Sequence, residues 1–174
     1  MRLFSGRGDN EKEKRHIYRM HEKLVSIGDD YWIENEAGER AFYVDGKALR
    51  IRDTLIFKDL RGNDLYKITE KLLRIRDTID IKKADDSVAA TVKKALVTIL
   101  RDRWKVEIPN GSDMEIRGNV LDHEYEIYSE GRKIAEISKK WFHIRDTYGI
   151  EIEHWQDDVV ILAIAAALDQ MSHD

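Results

Sequence analysis

The chain has 174 residues, 37% of them charged, with 30 Lys and Arg against 34 Asp and Glu for a net charge of −4. That length suits one domain around a single core, and the near balance of charge excludes a global field for nucleic acid, so any anion site is a local patch. The absence of cysteine excludes disulfides, thiolate metal sites and cysteine nucleophiles, and agrees with a reducing cytoplasm.

Residues 1–15 carry Gly6, Gly8 and a charged run with almost nothing apolar. Such a segment cannot repay the entropy of ordering and is expected to be a disordered tail. Its Arg7-Gly8-Asp9 tripeptide is a coincidence of composition. No apolar run reaches signal-peptide or membrane-spanning length, so the expectation is a cytoplasmic protein with no transmembrane segment. Residues 16–174 read as one domain. From Ile17 onward short strand-like runs alternate with turn signals at Glu36-Ala37-Gly38-Glu39, Asp45-Gly46, Arg61-Gly62-Asn63-Asp64, Asn110-Gly111 and Ser129-Glu130-Gly131. Many short strands at close spacing mean a sandwich or a barrel. Asp45-Gly46 and Asn110-Gly111 are the strongest hairpin signals, because those pairs supply positive φ cheaply. Ser87 to Leu100 alone could be an amphipathic helix through Val88, Val92, Ala95, Leu96 and Ile99, but an internal repeat that reaches into it favours strand.

Three segments align without gaps: residues 44–54, 68–78 and 137–147, ending in Arg52-Asp53-Thr54, Arg76-Asp77-Thr78 and Arg145-Asp146-Thr147. A fainter fourth copy runs from Lys94 to Arg101-Asp102-Arg103-Trp104, and a fifth lies at Ile116-Arg117-Gly118-Asn119. Each clear copy reads as a strand, a two-residue turn and a second strand. Alternation turns Leu49, Ile51, Leu55 and Phe57, then Leu73, Ile75, Ile79 and Ile81, then Phe142, Ile144, Tyr148, Ile150 and Ile152 toward the core. Asp53, Asp77 and Asp146 fall in the same phase, and their expected role is structural, each capping a bulge or bend beside its threonine. A metal or catalytic cluster of the three is the alternative. It is set aside because a residue repeated with its whole unit usually serves the unit's geometry. The opposite face carries Arg50, Arg52, Arg74, Arg76, His143 and Arg145, preceded by Lys47, Lys71 and Lys140. It is either a solvated outer face or a basic patch for phosphate or lipid headgroups, where arginine forks grip oxygens in pairs.

Val159 to Leu168 is ten apolar residues without interruption. Alanine and leucine favour helix, Asp157 and Asp158 suit its N-terminus, and Asp169, Gln170 and Ser172 restore polarity after it. The predicted helix spans 157–171, with Ile161, Ile164 and Leu168 as core residues. A helix apolar all round must be surrounded all round, and at roughly 22 Å it is too short for a bilayer but suits the axis of a small barrel.

With Ile99 to Ile108, Asp122-His123-Glu124-Tyr125-Glu126-Ile127, Ala135 to Ile150 and the closing helix from Gln156 to Met171, the chain after about Ile17 resembles the LURP-one-related family, whose domains adopt the tubby-like fold. The resemblance implies a mainly β fold: a closed antiparallel barrel of about twelve strands threaded by the hydrophobic C-terminal helix. The wider tubby-like group includes phosphoinositide binders and phospholipid scramblases. No phosphoinositide motif matches here residue by residue, and the spanning helix and cysteine cluster of scramblases are missing, so scramblase activity is not expected.

No glycine-rich phosphate loop, nucleophile elbow or His-Glu-x-x-His is present. Asp122-His123-Glu124 is a poor chelate because adjacent strand residues face opposite ways, and Trp32, Trp104, Trp141 and Trp155 read as packing rather than base stacking. The functional expectation is a non-enzymatic domain with no cofactor, binding anionic membrane lipid or another phosphate-bearing partner through outer-face Arg and Lys, peripherally to the membrane. The rival is a protein-interaction or regulatory module, and a small-molecule enzyme stands third.

Overall fold

The computed structural model describes residues 15–21, 30–46, 54–71, 77–95, 101–119, 122–141 and 147–172. Twelve strands succeed one another along the chain: β1 (His16–His21), β2 (Tyr31–Asn35), β3 (Arg40–Asp45), β4 (Thr54–Asp59), β5 (Asp64–Lys71), β6 (Thr78–Lys82), β7 (Val88–Lys94), β8 (Asp102–Glu107), β9 (Met114–Asn119), β10 (Glu124–Ser129), β11 (Arg132–Ser138) and β12 (Thr147–Ile152). Each pairs antiparallel with its sequence neighbours, and β1 closes on β12 from His16↔Ile152 to His21↔Thr147, so the sheet is a closed barrel. Closure leaves no unpaired strand edge. Alternation sets the two faces: in β8, Trp104 and Val106 are buried while Arg103 and Lys105 are exposed. Leu55, Phe57, Ile79, Ile81, Tyr148, Ile150 and Ile152 all face the core as their spacing predicts. The ambiguous segment is strand where it is described, with Ala90 and Val92 buried and Val92 opposite Ile79.

The turns correct the hairpin expectation. The last pair between β3 and β4 is Asp45↔Ile56, and β5 meets β6 at Lys71↔Thr78, so neither copy closes in two residues. The positions aligned with Asp45-Gly46 in the other copies are Thr69-Glu70 and Ser138-Lys139, which lack turn chemistry, and Thr69-Glu70 lie inside the β5 ladder. Each repeat is therefore a strand end, a connection and the start of the next strand. Asn110 does take positive φ, at 59°, but within a longer turn in which Gly111 N–H donates to Ile108 O at 3.1 Å. The tight two-residue turn is Glu130-Gly131, with φ of 50° and 77° between the paired Ser129 and Arg132. Positive φ at both central residues is the mirror-image turn whose twist matches the strands.

Asp53 and Asp146 lie outside the described residues, as do Leu49, Ile51, Leu73, Ile75, Phe142 and Ile144. Asp77 does not face inward. Its carboxylate is 55% exposed, 3.9 Å from Lys94 Nζ, and its carbonyl accepts from Lys94 N–H at 3.1 Å. The threonines of the three triplets are buried, and Thr54, Thr78 and Thr147 each open a strand. Thr54 Oγ1 lies 3.2 Å from Thr69 Oγ1, and Thr147 Oγ1 lies 3.3 Å from His21 Nδ1.

Helix α1 (Asp158–Ser172) runs up the barrel, with Ile161 to Met171 buried throughout and Ile161, Ile164 and Leu168 among them. Asp157 caps it, its Oδ1 accepting from Val159 N–H at 3.0 Å and Val160 N–H at 3.3 Å. Asp169 and Gln170 do not return the chain to water; both are buried. Tyr148 donates to Asp169 Oδ1 at 2.9 Å. Tyr31, also buried, finds no partner for its hydroxyl among the described residues. Burial holds the Tyr31 phenol well above its ordinary value of 10.0, and the nearby Asp169 charge adds to the effect. The folded state therefore keeps this proton while the unfolded chain releases it above about pH 10, so this contribution to stability is intact below that pH and lost above it. Urea unfolding from pH 8 to 11 should show the free energy of unfolding falling once pH passes 10, by up to about 1.4 kcal/mol per pH unit for this one group. Tyr31→Phe should make that limb shallower by this one group's share, since Tyr18, Tyr43, Tyr66 and Tyr128 are raised too, and should leave stability at pH 8 within about 1 kcal/mol because it removes an unpaired buried hydroxyl.

Candidate functional site

The strand register sorts every connection to one of two rims. The rim where α1 ends receives β1–β2, β3–β4, β5–β6, β7–β8, β9–β10 and β11–β12; the rim where α1 enters receives the other turns and the 153–157 segment. The segments joined at the first rim carry ten lysines and arginines against seven acids. Those at the second carry two against eight. Eight of the ten cations belong to the three clear repeat copies, whose matching segments contain three aspartates. The charge asymmetry thus arises from the repeat, because each copy straddles the same rim.

Of the predicted anion-binding residues, Lys47, Arg50, Arg52, Arg74, Arg76 and Arg145 lie outside the described residues. Lys71 is described, and its Nζ is 2.7 Å from the buried Asp80 carboxylate, which also accepts from Thr91 at 2.8 Å. Lys140 is 74% exposed, with Glu124 at 3.9 Å. Beside it stand Lys139, whose Nζ lies 5.3 Å from the centre of the Tyr148 ring, and Trp141, an indole 38% exposed. Sequence reasoning assigned Trp141 to packing. Its position after two lysines in the third copy was the available signal.

The outer wall is a different surface. Lys93 pairs with Glu107 at 2.7 Å, Lys105 with Asp113 at 3.2 Å, Lys133 with Glu136 at 2.7 Å, and Lys58 lies between Asp45 and Asp64 at 3.5 and 3.6 Å. Two of these carboxylates, Glu107 and Asp113, are held toward their charged form. The hydrogen bond from Lys93 holds Glu107 below the usual carboxylate value, and a backbone N–H bond from Ile108, with Lys105 adding to it, does the same for Asp113. All are solvated, so each contributes little to stability. The described wall is therefore close to self-neutralised. Among the described residues there is no group of three or more His, Asp and Glu that could hold a metal, and no helix long and apolar enough to cross a membrane.

A closed antiparallel barrel threaded by its own C-terminal helix defines the class of protein: a tubby-like fold. The chain belongs to the LURP-one-related family, whose model matches residues 16–169. It is similar to Uncharacterized protein YxjI of Bacillus subtilis (strain 168), 26% identical over 155 residues that span 89% of this chain and 93% of that protein. Its fold is similar to the X-ray structure of a protein from Arabidopsis thaliana, with a TM-score of 0.65, 16% identity, and 90% and 91% of the two chains covered.

Proposed function

We propose that this domain is a non-catalytic module that binds anionic phospholipid headgroups with the rim at which α1 ends, acting as a reversible peripheral tether. The observation that carries the reading is the pairing of charge with an exposed indole: Trp141 and Lys140 stand in solvent on the rim whose connections hold the excess of Lys and Arg. An indole is at home where one side is apolar and the other wet, and each cation near an anionic surface adds about 1 kcal/mol. The self-neutralised wall argues for contact through the rim rather than through the barrel's side. Co-sedimentation with neutral and phosphatidylserine-containing liposomes tests this, at low and physiological salt. Wild type should pellet only with anionic vesicles and less at higher salt, and changing Arg50, Arg74 and Arg145 to Glu should weaken binding about tenfold or more. Trp141→Ala should lose part of the binding that survives salt. Failure to pellet under any condition, or a charge-reversed variant that pellets like wild type, would sink the tether. A second reading, a protein-interaction module, is favoured by Leu60 and Trp155, which are exposed at the opposite, acidic rim.

A further inference from the structure

Like charges oppose each other at several places on the described wall, Lys67↔Lys82 and Lys93↔Lys105 among them, and at one of them both partners are arginines. Arg103 on β8 and Arg117 on β9 are direct register partners, on the outer face of the barrel. Side chains directly opposite across a ladder are in contact range, and a pair of cations there is destabilising unless an anion lies between them. Glu115 supplies that anion. Arg117 grips it with both arms, Nε to Oε1 at 3.0 Å and Nη2 to Oε2 at 3.2 Å. Arg103 reaches Oε1 only at 3.7 Å, beyond hydrogen-bonding distance, and is 58% exposed. The guanidinium of Arg117 also lies over the Tyr128 ring, 4.5 Å from its centre, and Tyr128 donates to Glu126 at 3.0 Å. Arg103, Glu115, Arg117 and Tyr128 line a groove of about 540 Å³, together with Met114 and the charged Lys105, Asp113 and Glu130. That volume is within the range of small-ligand sites.

We propose that this groove binds a small phosphate monoester, whose phosphate takes the place between Arg103 and Arg117 that Glu115 now holds. The choice of anion rests on charge. Exchanging the Glu115 carboxylate for a ligand carboxylate gains nothing, because one charge and two oxygens replace one charge and two oxygens. A phosphate monoester brings close to two charges and three acceptor oxygens, enough to engage both guanidinium forks at once. Glu115 is then an internal competitor: it keeps the arginine pair stable when the groove is empty and must swing away when it fills. Its 43% exposure leaves it room to do so. The site is separate from the rim of the proposed tether and does not depend on it.

The test is a titration of the full chain with inorganic phosphate and phenyl phosphate at pH 7.5 and low salt, monitoring the side-chain Nε–H resonances of Arg103 and Arg117 by NMR. Saturable shifts of both resonances are expected, with phenyl phosphate the tighter ligand. Glu115→Gln should tighten binding about tenfold, since it removes one competing charge at contact distance. Arg103→Gln leaves the Arg117–Glu115 pair intact and should abolish binding, with its thermal unfolding near that of wild type as the check on folding. Absence of saturation in wild type and in Glu115→Gln alike overturns the site. So does an affinity unchanged by Glu115→Gln or by Arg103→Gln. Phosphatidic acid vesicles separate the two sources of the phosphate: loss of pelleting in Arg103→Gln identifies a lipid headgroup, and unchanged pelleting alongside lost phenyl phosphate binding identifies a soluble phosphate.

Discussion

Ile164→Asp should leave the domain unfolded. Ile164 has no exposed surface and lies midway along α1, with buried residues on either side of it from Ile161 to Met171. Removing a buried isoleucine side chain costs about 2–5 kcal/mol, and an unpartnered carboxylate at the same point adds several more. A domain of this size is stable by only about 5–15 kcal/mol, so the two terms together consume most or all of it. The architecture sharpens the effect. A twelve-strand barrel is too wide for its own wall residues to fill, and the helix is what occupies the interior. Displacing the helix therefore empties the core instead of loosening one end. Circular dichroism with thermal and urea unfolding should show no cooperative transition in Ile164→Asp, while Ile164→Val should fold and lose about 0.5–1.5 kcal/mol. A soluble, cooperatively unfolding Ile164→Asp protein would sink the threaded barrel.

That helix was legible because ten uninterrupted apolar residues in so charged a chain admit few placements. The burial of its polar C-terminal turn was not. Asp169 and Gln170 read as the return to solvent, yet both are buried, because Tyr148 and Tyr31 arrive beside them from distant strands. Whether a polar side chain is exposed depends on its partners, and partners separated by many residues leave no local pattern. The repeat was legible as sequence and misread as geometry. Alignment of Asp45-Gly46 with Thr69-Glu70 could have shown that the turn chemistry belonged to one copy only.

The candidate sites divide along the same line. That basic residues recur at a fixed place in each repeat can be seen in the chain, and the strand order assigns the connections that carry them to one rim. The neutralisation of the wall cannot be seen there. Lys71 meets Asp80 because of the register between β5 and β6, and Arg103 meets Arg117 because of the register between β8 and β9. Register is set by which faces are buried and by the length of each turn, and the 108–113 turn is longer than its Asn110-Gly111 pair suggests. The faint fourth and fifth copies did contain both arginines.

Gly118→Ala should cost about 3 kcal/mol, near the upper end of what overpacking does to a well-packed site. A Cβ at this position would stand 2.3 Å from Glu124 O, 2.6 Å from Tyr125 Cδ1 and 3.1 Å from Tyr125 Cα. Gly118 has no positive φ, so the requirement is one of space alone. It arises from pairing: Gly118 faces Tyr125 across the β9–β10 ladder and Asp102 on the other side. An aromatic ring laid across a strand glycine restores the packing that the glycine lacks. The Tyr125 ring in turn meets Trp104 edge-on at 5.5 Å, among the buried residues of the barrel. A side chain can rotate away from a methyl group, but the Glu124 carbonyl is part of the sheet and cannot move without opening the ladder. Gly131→Ala is the informative contrast, because nothing lies within 4 Å of a Cβ there and only its φ of 77° opposes a side chain, at about 1–2 kcal/mol. Urea midpoints should therefore fall further for Gly118→Ala than for Gly131→Ala. The reverse order would mean that β9 and β10 are not held at this register.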